Sequence, residues 1–425
     1  MRRLLLSTMQ SPRPPPPPAE MPADAIEVRV PTTEEHETYR YVLSRNFGVD
    51  PRPDAAQGFA RIWEPDRSFC AWDGPEMVGT SGSFSLQLTV PGGTLATAGS
   101  SMFSVAPTHR RRGILRKMMA AHLEDVATRS EPLAALWASE SSIYGRFGYG
   151  VAAVGVDLRI PRQYTALHRL APEPAAIRLV DEHEARRQFP AIYESVGAWW
   201  PGFFKRSPAW WDVRWFTDPP DRRNGASALR FALTTSNDGY VSYRQKPKFE
   251  QGNSVGELSV VELMGTSPES WAGLWSFVLN HDLPITIEAF RRPPVDPIFD
   301  LLEDPRQMKE CRRDSLWVRV NDPAAALKGR RYQKEGHLVL ELTDPLLERR
   351  ILVELEGGPD GASCELTDKE PDLVLDIEDL GACYLGWARF RALARAGRIG
   401  GDNASLKLAD SMFTWDPQPW CPEIF

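Results

Sequence analysis

Apolar residues alternate with small or polar ones over 77–90 and again over 94–105, separated by Pro91-Gly92-Gly93. Such alternation predicts two long antiparallel strands joined by a tight turn. A strand at Ile26, then helices, and a short strand over 69–72 closed by Asp73-Gly74 lead into them. After Gly113 the period lengthens: Ile114, Leu115, Met118, Met119, His122, Leu123 and Val126 recur at helical spacing, so one face of a helix is buried. Residues 133–137 read as a buried strand and 143–147 as a short helix. Antiparallel strands that cross over through a helix to a parallel neighbour predict a mixed α/β sheet.

The outline recurs downstream. A hairpin over 229–235 and 240–244 turns on Asn237-Asp238-Gly239, followed by a strand over 255–264, a helix over 271–279 and a strand over 285–289. From about Asp314 a third unit follows, with strands over 338–342, 350–356 and 373–377 and helices over 380–386 and 390–396.

The junction of strand and helix in the first unit reads Ser104-Val105-Ala106-Pro107-Thr108-His109-Arg110-Arg111-Arg112-Gly113-Ile114-Leu115. Met102, Phe103 and Val105 end the half-buried strand. Unpaired N–H groups at a helix start favour an anion. Three arginines add fork-shaped donors, and Gly113 removes a Cβ from the line of approach. This is material for a pyrophosphate site; a basic surface turn before an amphipathic helix has the same composition. In the second unit the corresponding junction, Gly265-Thr266-Ser267-Pro268-Glu269-Ser270, holds no arginine and one acid.

The first junction is similar to the acyl-CoA pyrophosphate loop of the GNAT N-acetyltransferases, Gln/Arg-x-x-Gly-x-Gly/Ala. Arg110-x-x-Gly113 fits, and Leu115 stands where Gly or Ala is usual. That departure, the Ser104 to Gly113 stretch and Trp137-Ala-Ser-Glu-Ser-Ser-Ile-Tyr-Gly-Arg-Phe-Gly-Tyr-Gly150 resemble the Eis (enhanced intracellular survival) acetyltransferases, over roughly residue 26 to the C-terminus. The resemblance implies tandem GNAT folds followed by a sterol carrier protein-like α+β domain. The expected division is a disordered Pro-rich tail (1–25), a catalytic GNAT domain (26–161), a degenerate second GNAT domain (162–305) and a C-terminal domain (306–425) that delivers the chain end.

It also implies acetyl-CoA as co-substrate. Phe103, Ser104 and Val105 are expected along its pantetheine arm, Arg110, Arg111, Arg112, Gly113, Ile114, Leu115 and Arg116 around the pyrophosphate, and Ser139 and Glu140 on the facing strand of a splayed pair. Ser139 would serve equally as a helix N-cap. Tyr144 takes the family's proton-donor position in preference to Tyr149; a phenol, with a pKa of about 10, suits protonation of a thiolate. The α-carboxylate of Phe425 takes the place of the proton acceptor, a weak base at about 3.5 unless desolvated. Ile424 and Glu423 remain candidates for substrate contact. The expected reaction is direct transfer of acetyl to a primary amine of an aminoglycoside, a lysine side chain or a polyamine, in a homohexamer built as a trimer of dimers. A non-catalytic acyl-CoA- or lipid-binding assembly protein is the alternative.

Bulk properties narrow this further. The 425 residues suggest two to four domains. A formal charge of −7 argues against a nucleic-acid partner. The five cysteines form no C-x-x-C pair and the seven histidines no H-x-x-x-H pair, so no metal is expected and a reducing cytoplasm fits. The apolar stretch after Met1-Arg2-Arg3 is only Leu4-Leu5-Leu6 before prolines 14–18, too short for a signal peptide, and translation starting at Met21 is an alternative. No apolar run reaches membrane-span length. The aromatic segment from Trp199 to Trp215 is expected to pack in a core or subunit contact rather than to stack on a ligand.

Overall fold

A computed structural model describes residues 26–50 and 58–425. The Pro-rich tail assigned to 1–25, and the choice between Met1 and Met21, lie outside the described residues.

The first unit runs β1 (Ile26–Arg29), α1 (His36–Asn46), β2 (Cys70–Asp73), β3 (Glu76–Val90), β4 (Gly93–Val105), α2 (Ile114–Thr128), β5 (Leu133–Leu136), α3 (Ser141–Tyr144) and β6 (Gly150–Val151). The second comprises β7 (Val154–Pro161), β8 (Ile177–Val180), α4 (Glu182–Gly197), β9 (Arg230–Thr234), β10 (Gly239–Lys246), β11 (Gly256–Gly265), α5 (Pro268–Leu279), β12 (Pro284–Arg292) and β13 (Lys309–Asp314), and is followed by β14 (Trp317–Val320). The third has β15 (Gly336–Asp344), β16 (Arg349–Gly358), β17 (Gly361–Leu366), β18 (Leu373–Asp376), α6 (Ile377–Tyr384), α7 (Phe390–Arg395), β19 (Gly400–Gly401) and α8 (Asn403–Phe413).

The mixed sheets predicted from the alternation are present. The first has order β1-β2-β3-β4-β5-β14-β6, the second β13-β7-β12-β11-β10-β9-β8 and the third β17-β16-β15-β18-β19. The boundaries drawn from sequence need correction. β7, placed in the first domain by the boundary at 161, pairs with β12 and β13 in the second sheet. β14, placed in the C-terminal domain by the boundary at 306, lies between β5 and β6 in the first. The chain therefore laces the two cores together, because a strand joins whichever open edge its backbone groups reach.

α2 buries Ile114, Met118, Met119, His122, Leu123 and Val126, the stripe its spacing predicts; Leu115 is half-buried. The five apolar side chains of this stripe supply most of the helix's stability, at about 1.5–3 kcal/mol for each large apolar group.

β4 is bent midway. Its register against β3 shifts between Thr80 and Gly82, and Met102 has φ +61°. Gly82 makes room for the bend, since a Cβ there would lie 2.4 Å from Cε of Met102. β4 and β5 run parallel only over Thr97–Leu133, Ala98–Ala134 and Gly99–Ala135. Beyond Gly99 the two strands diverge.

The third domain seats on the first sheet through facing glycines. A Cβ on Gly150 would fall 2.0 Å from the Glu378 carbonyl oxygen, and one on Gly381 2.2 Å from that of Val318.

Candidate active site

From the open end of the diverging strands, β4 leads through a turn of 3-10 helix at Pro107–His109 into a basic loop. Arg110 is extended, Arg111 has φ +64° and Gly113, the N-cap of α2, has φ +74° with no side-chain cap. A left-handed non-glycine residue costs on the order of 1–2 kcal/mol, and strain of this kind collects where the backbone must present N–H groups to a ligand. A Cβ on Gly113 would have nothing within 4 Å. An uncapped helix start in an open, arginine-bearing turn fits a phosphate group.

The arginines divide. Arg110 and Arg111 are exposed. Arg112 turns back instead: its Nη1 lies 3.3 Å from Oδ2 of Asp73, which His109 Nε2 also approaches at 3.1 Å. Its Nε and Nη2 are buried without a partner among the described residues. The carboxylate at the end of β2 thus holds one edge of this guanidinium. Arg116 leans toward the turn after β15, its Nη2 3.4 Å from the Leu346 carbonyl. Ile114 offers only its backbone, its side chain being 2% exposed. Leu115 packs toward the first core.

Along β4, Phe103 stacks edge-on against His122 at 5.6 Å. The Ser104 hydroxyl is engaged by Thr80 at 2.7 Å and by Asn46 at 3.0 Å, and Val105 is half-buried. Among the described residues the edge of β4 that would face β5 has no strand partner beyond Gly99, so Phe103, Ser104 and Val105 can offer a ligand their backbone rather than their side chains.

Across the gap, Ser139 and Glu140 are exposed after β5. Glu140, not Ser139, is the N-cap of α3, and it makes no side-chain cap. The Ser139 hydroxyl is used by Tyr144. Tyr144 is 7% exposed. Burial raises its pKa and the negative charge of Glu140 adds to this, while the bond from Ser139 opposes both. Tyr149, its ring 6.3 Å away, is fully buried. The Tyr149 phenol meets Ser100 Oγ at 2.8 Å, and Ser100 in turn meets His122 Nε2 at 2.7 Å. Burial pushes the Tyr149 phenol up to about 12 and the His122 imidazole down to about 3. Tyr149 is thus committed to the core.

The last residue lies on the fork of the strands. The Phe425 ring packs edge-on to Phe204 at 5.3 Å and Phe84 at 6.4 Å. A Cβ on Gly99 would sit 3.3 Å from Phe425 Cε2. Glu423 is buried against Arg206, which removes it from substrate contact, whereas Ile424 is 42% exposed. Most of the aromatic segment packs as expected, Phe203, Trp211 and Phe216 entering the second core and Phe204 and Trp210 the first, while Trp199 at its start is 52% exposed. Arg206 was missed by sequence reasoning. Its only signal is a cation inside a run of tryptophans and phenylalanines.

The matching turn of the second core is closed. Ser267 caps α5 by accepting from the Ser270 N–H at 3.1 Å, Pro268 fills the first helical position and Glu269 the next. Among the described residues no group of three or more His, Cys, Asp or Glu is placed to hold a metal ion, and no helix is long and apolar enough to cross a membrane.

Comparison with known proteins finds three domain families along the chain. The Acetyltransferase (GNAT) domain family matches residues 27–152, a second Acetyltransferase (GNAT) domain family matches 202–320, and the Sterol carrier protein domain family matches 323–422. The chain is 36% identical over 416 residues to an uncharacterized N-acetyltransferase of Streptomyces avermitilis, covering 94% of this chain and 99% of that one. It is 36% identical over 378 residues to N-acetyltransferase Eis of Mycobacterium tuberculosis, covering 86% and 90%. The crystal structure of Eis1 from Mycobacterium abscessus superposes with a TM-score of 0.81 at 32% identity, covering 94% of this chain and all of the other.

Proposed function

The chain belongs to the Eis family of GNAT N-acetyltransferases, and from that premise we propose that it acetylates primary amines of aminoglycoside, lysine or polyamine type by direct transfer in a ternary complex. GNAT acetyltransferases use acetyl-CoA. When bound, it supplies an acetyl group activated as a thioester. The observation that carries the reading is the pairing of an open, uncapped Arg110–Gly113 turn with the Tyr144 phenol across the divergence of β4 and β5.

In this proposal the backbone N–H groups at the start of α2, with Arg110, Arg111 and Arg116, hold the pyrophosphate, and Arg112 shapes the loop from behind. The free backbone edge of Phe103, Ser104 and Val105 orients the pantetheine arm, with Ser139 and Glu140 on its far side. Tyr144 Oη, oriented by Ser139, holds the proton that the departing thiol requires. The α-carboxylate of Phe425 accepts a proton from the acceptor ammonium, and the packing of the Phe425 ring on Phe84 and Phe204 anchors the residue that carries it. Assembly as a trimer of dimers belongs to the same proposal and is measured by light scattering. The free thiols Cys70, Cys311, Cys364, Cys383 and Cys421 suit a reducing, cytoplasmic setting.

A short polar extension after Phe425 replaces the carboxylate with an amide. Thiol release with a polyamine, aminoglycoside or lysine-peptide acceptor should fall by about 10² to 10⁴, the loss expected for a general base, while acetyl-CoA binding persists. Undiminished turnover would assign the base to an internal carboxylate or to water.

A further inference from the structure

The helix α5 of the second core lacks an open start, yet this core holds a closed charge cluster. The Arg206 side chain is 1% exposed, and its partners Glu262 and Glu423 are 3% and 1% exposed. Arg206 Nη2 and Nη1 grip the two Glu262 oxygens at 2.7 and 3.1 Å, and its Nε donates to Glu423 at 2.5 Å. The guanidinium lies 3.7 Å from the ring centre of Tyr193, 3.8 Å from that of Trp215 and 4.5 Å from that of Trp211.

One guanidinium cannot satisfy two buried carboxylates alone, and other donors complete the set. Tyr240 Oη donates to Glu262 at 2.5 Å and Trp215 Nε1 to Glu423 at 3.2 Å. Removing one partner of such a cluster strands buried donors, which is the costly direction of change.

The membership of the cluster is informative. Tyr193 lies on α4, Tyr240 on β10 and Glu262 on β11, all of the second core. Glu423 alone comes from the end of the chain. The approach to it is fastened to the same unit: Trp200 Nε1 donates to the Gln418 carbonyl and Trp420 Nε1 to that of Arg291, both at 2.7 Å. Two residues of extended chain span about 7 Å, so fixing Glu423 confines the Phe425 carboxylate to that radius.

We propose that the second core is the socket of the C-terminal segment, with Arg206 and Glu423 as positioning residues that hold the Phe425 carboxylate at the fork of β4 and β5. The consequence for turnover rests on the reading of that carboxylate as the base; the socket itself does not.

The test uses the full chain carrying Glu423→Ala, which leaves Arg206 neutralised by Glu262, and a carboxypeptidase that removes aromatic C-terminal residues. Phe425 should be released at least about tenfold faster than from the parent, reporting local opening of the segment. Acetyl-CoA affinity should hold while kcat drops by about ten- to a hundredfold, the scale of a misplaced catalytic group. Glu423→Asp, which restores the anion, should recover resistance to release. If Glu423→Ala loses acetyl-CoA binding and so fails to fold, Glu423→Gln is read in the same way. Unaccelerated release in the folded variant overturns the socket. Accelerated release with unchanged kcat upholds the socket and overturns the carboxylate base.

Discussion

Two strand-to-helix turns in this molecule follow the same topology and reach opposite electrostatic ends. After β4 the helix begins at a left-handed glycine with no side-chain cap and no acid in its first turn. After β11 it begins at Ser267, whose hydroxyl caps one end of a reciprocal pair with Ser270, and Glu269 stands in the first turn. Asp238 lies beside it and accepts from the Ser267 hydroxyl at 2.8 Å. Burial works to raise the Asp238 carboxyl, but bonds from Ser236, Thr234 and Ser267 outweigh it and hold the group below its usual range. The second turn is therefore satisfied internally and carries fixed negative charge, so a phosphate finds neither donors nor a favourable field. A shared fold leaves chemistry to the caps.

The comparison is broken or sharpened most strongly by Tyr144→Phe, which keeps the ring against Tyr149 and removes the proton. Turnover should fall by about two orders of magnitude or more with acetyl-CoA affinity unaltered in calorimetry; near-normal turnover would move the proton to Tyr149 or water. Arg111→Ala comes next, because Arg111 is exposed where Arg112 is held by Asp73. Loss of a charge-assisted bond of about 1.5–3 kcal/mol should weaken acetyl-CoA binding roughly ten- to a hundredfold. The same titration should give one acetyl-CoA per chain, and two would show the second turn to be open after all.

The third test concerns what lies beneath each turn. α2 buries His122, whose folded pKa of about 3 lies below the unfolded value of about 6.5. The unfolded chain binds the proton first, so this contribution is intact above pH 6.5 and is lost as pH falls toward 3. At pH 5 the loss is about 2 kcal/mol, from roughly 1.5 pH units at about 1.36 kcal/mol each. The drop in thermal midpoint from pH 7 to pH 5 should shrink in His122→Gln; an equal drop would place the acid sensitivity elsewhere. α5 buries no His, Asp or Glu. The smallest effect is expected for Ser267→Ala, about 1 kcal/mol of stability from the lost cap, with acetyl-CoA affinity unchanged. A second binding site appearing in this variant would show that the cap alone closed the second turn.

Much of this was legible in the chain itself. The buried stripe of α2, the long β3–β4 hairpin and the contrast between Arg110–Gly113 and Ser267–Ser270 are local patterns, because a helix or strand writes its period into consecutive residues and a cap lies within one turn of the helix it serves. β17 and α8 went unmarked: Gly361–Leu366 is too short and polar for a clear alternation, and the stripe of Asn403–Phe413 follows a run of glycines that reads as loop. The positions of β7 and β14 were decided only in three dimensions, since Val154–Pro161 alternates like any strand, Trp317–Val320 is too short to show a period, and nothing within either names the sheet it will join. The same holds for the turning of Arg112 to Asp73, the use of Ser139 by Tyr144 in place of a helix cap, and the enclosure of Arg206 by residues 56 and 217 positions away. Local sequence determined the elements and the open, arginine-bearing turn; tertiary packing decided which strands meet, which arginine Asp73 holds and where the chain end is held, because those outcomes depend on the complementarity of surfaces far apart in the chain.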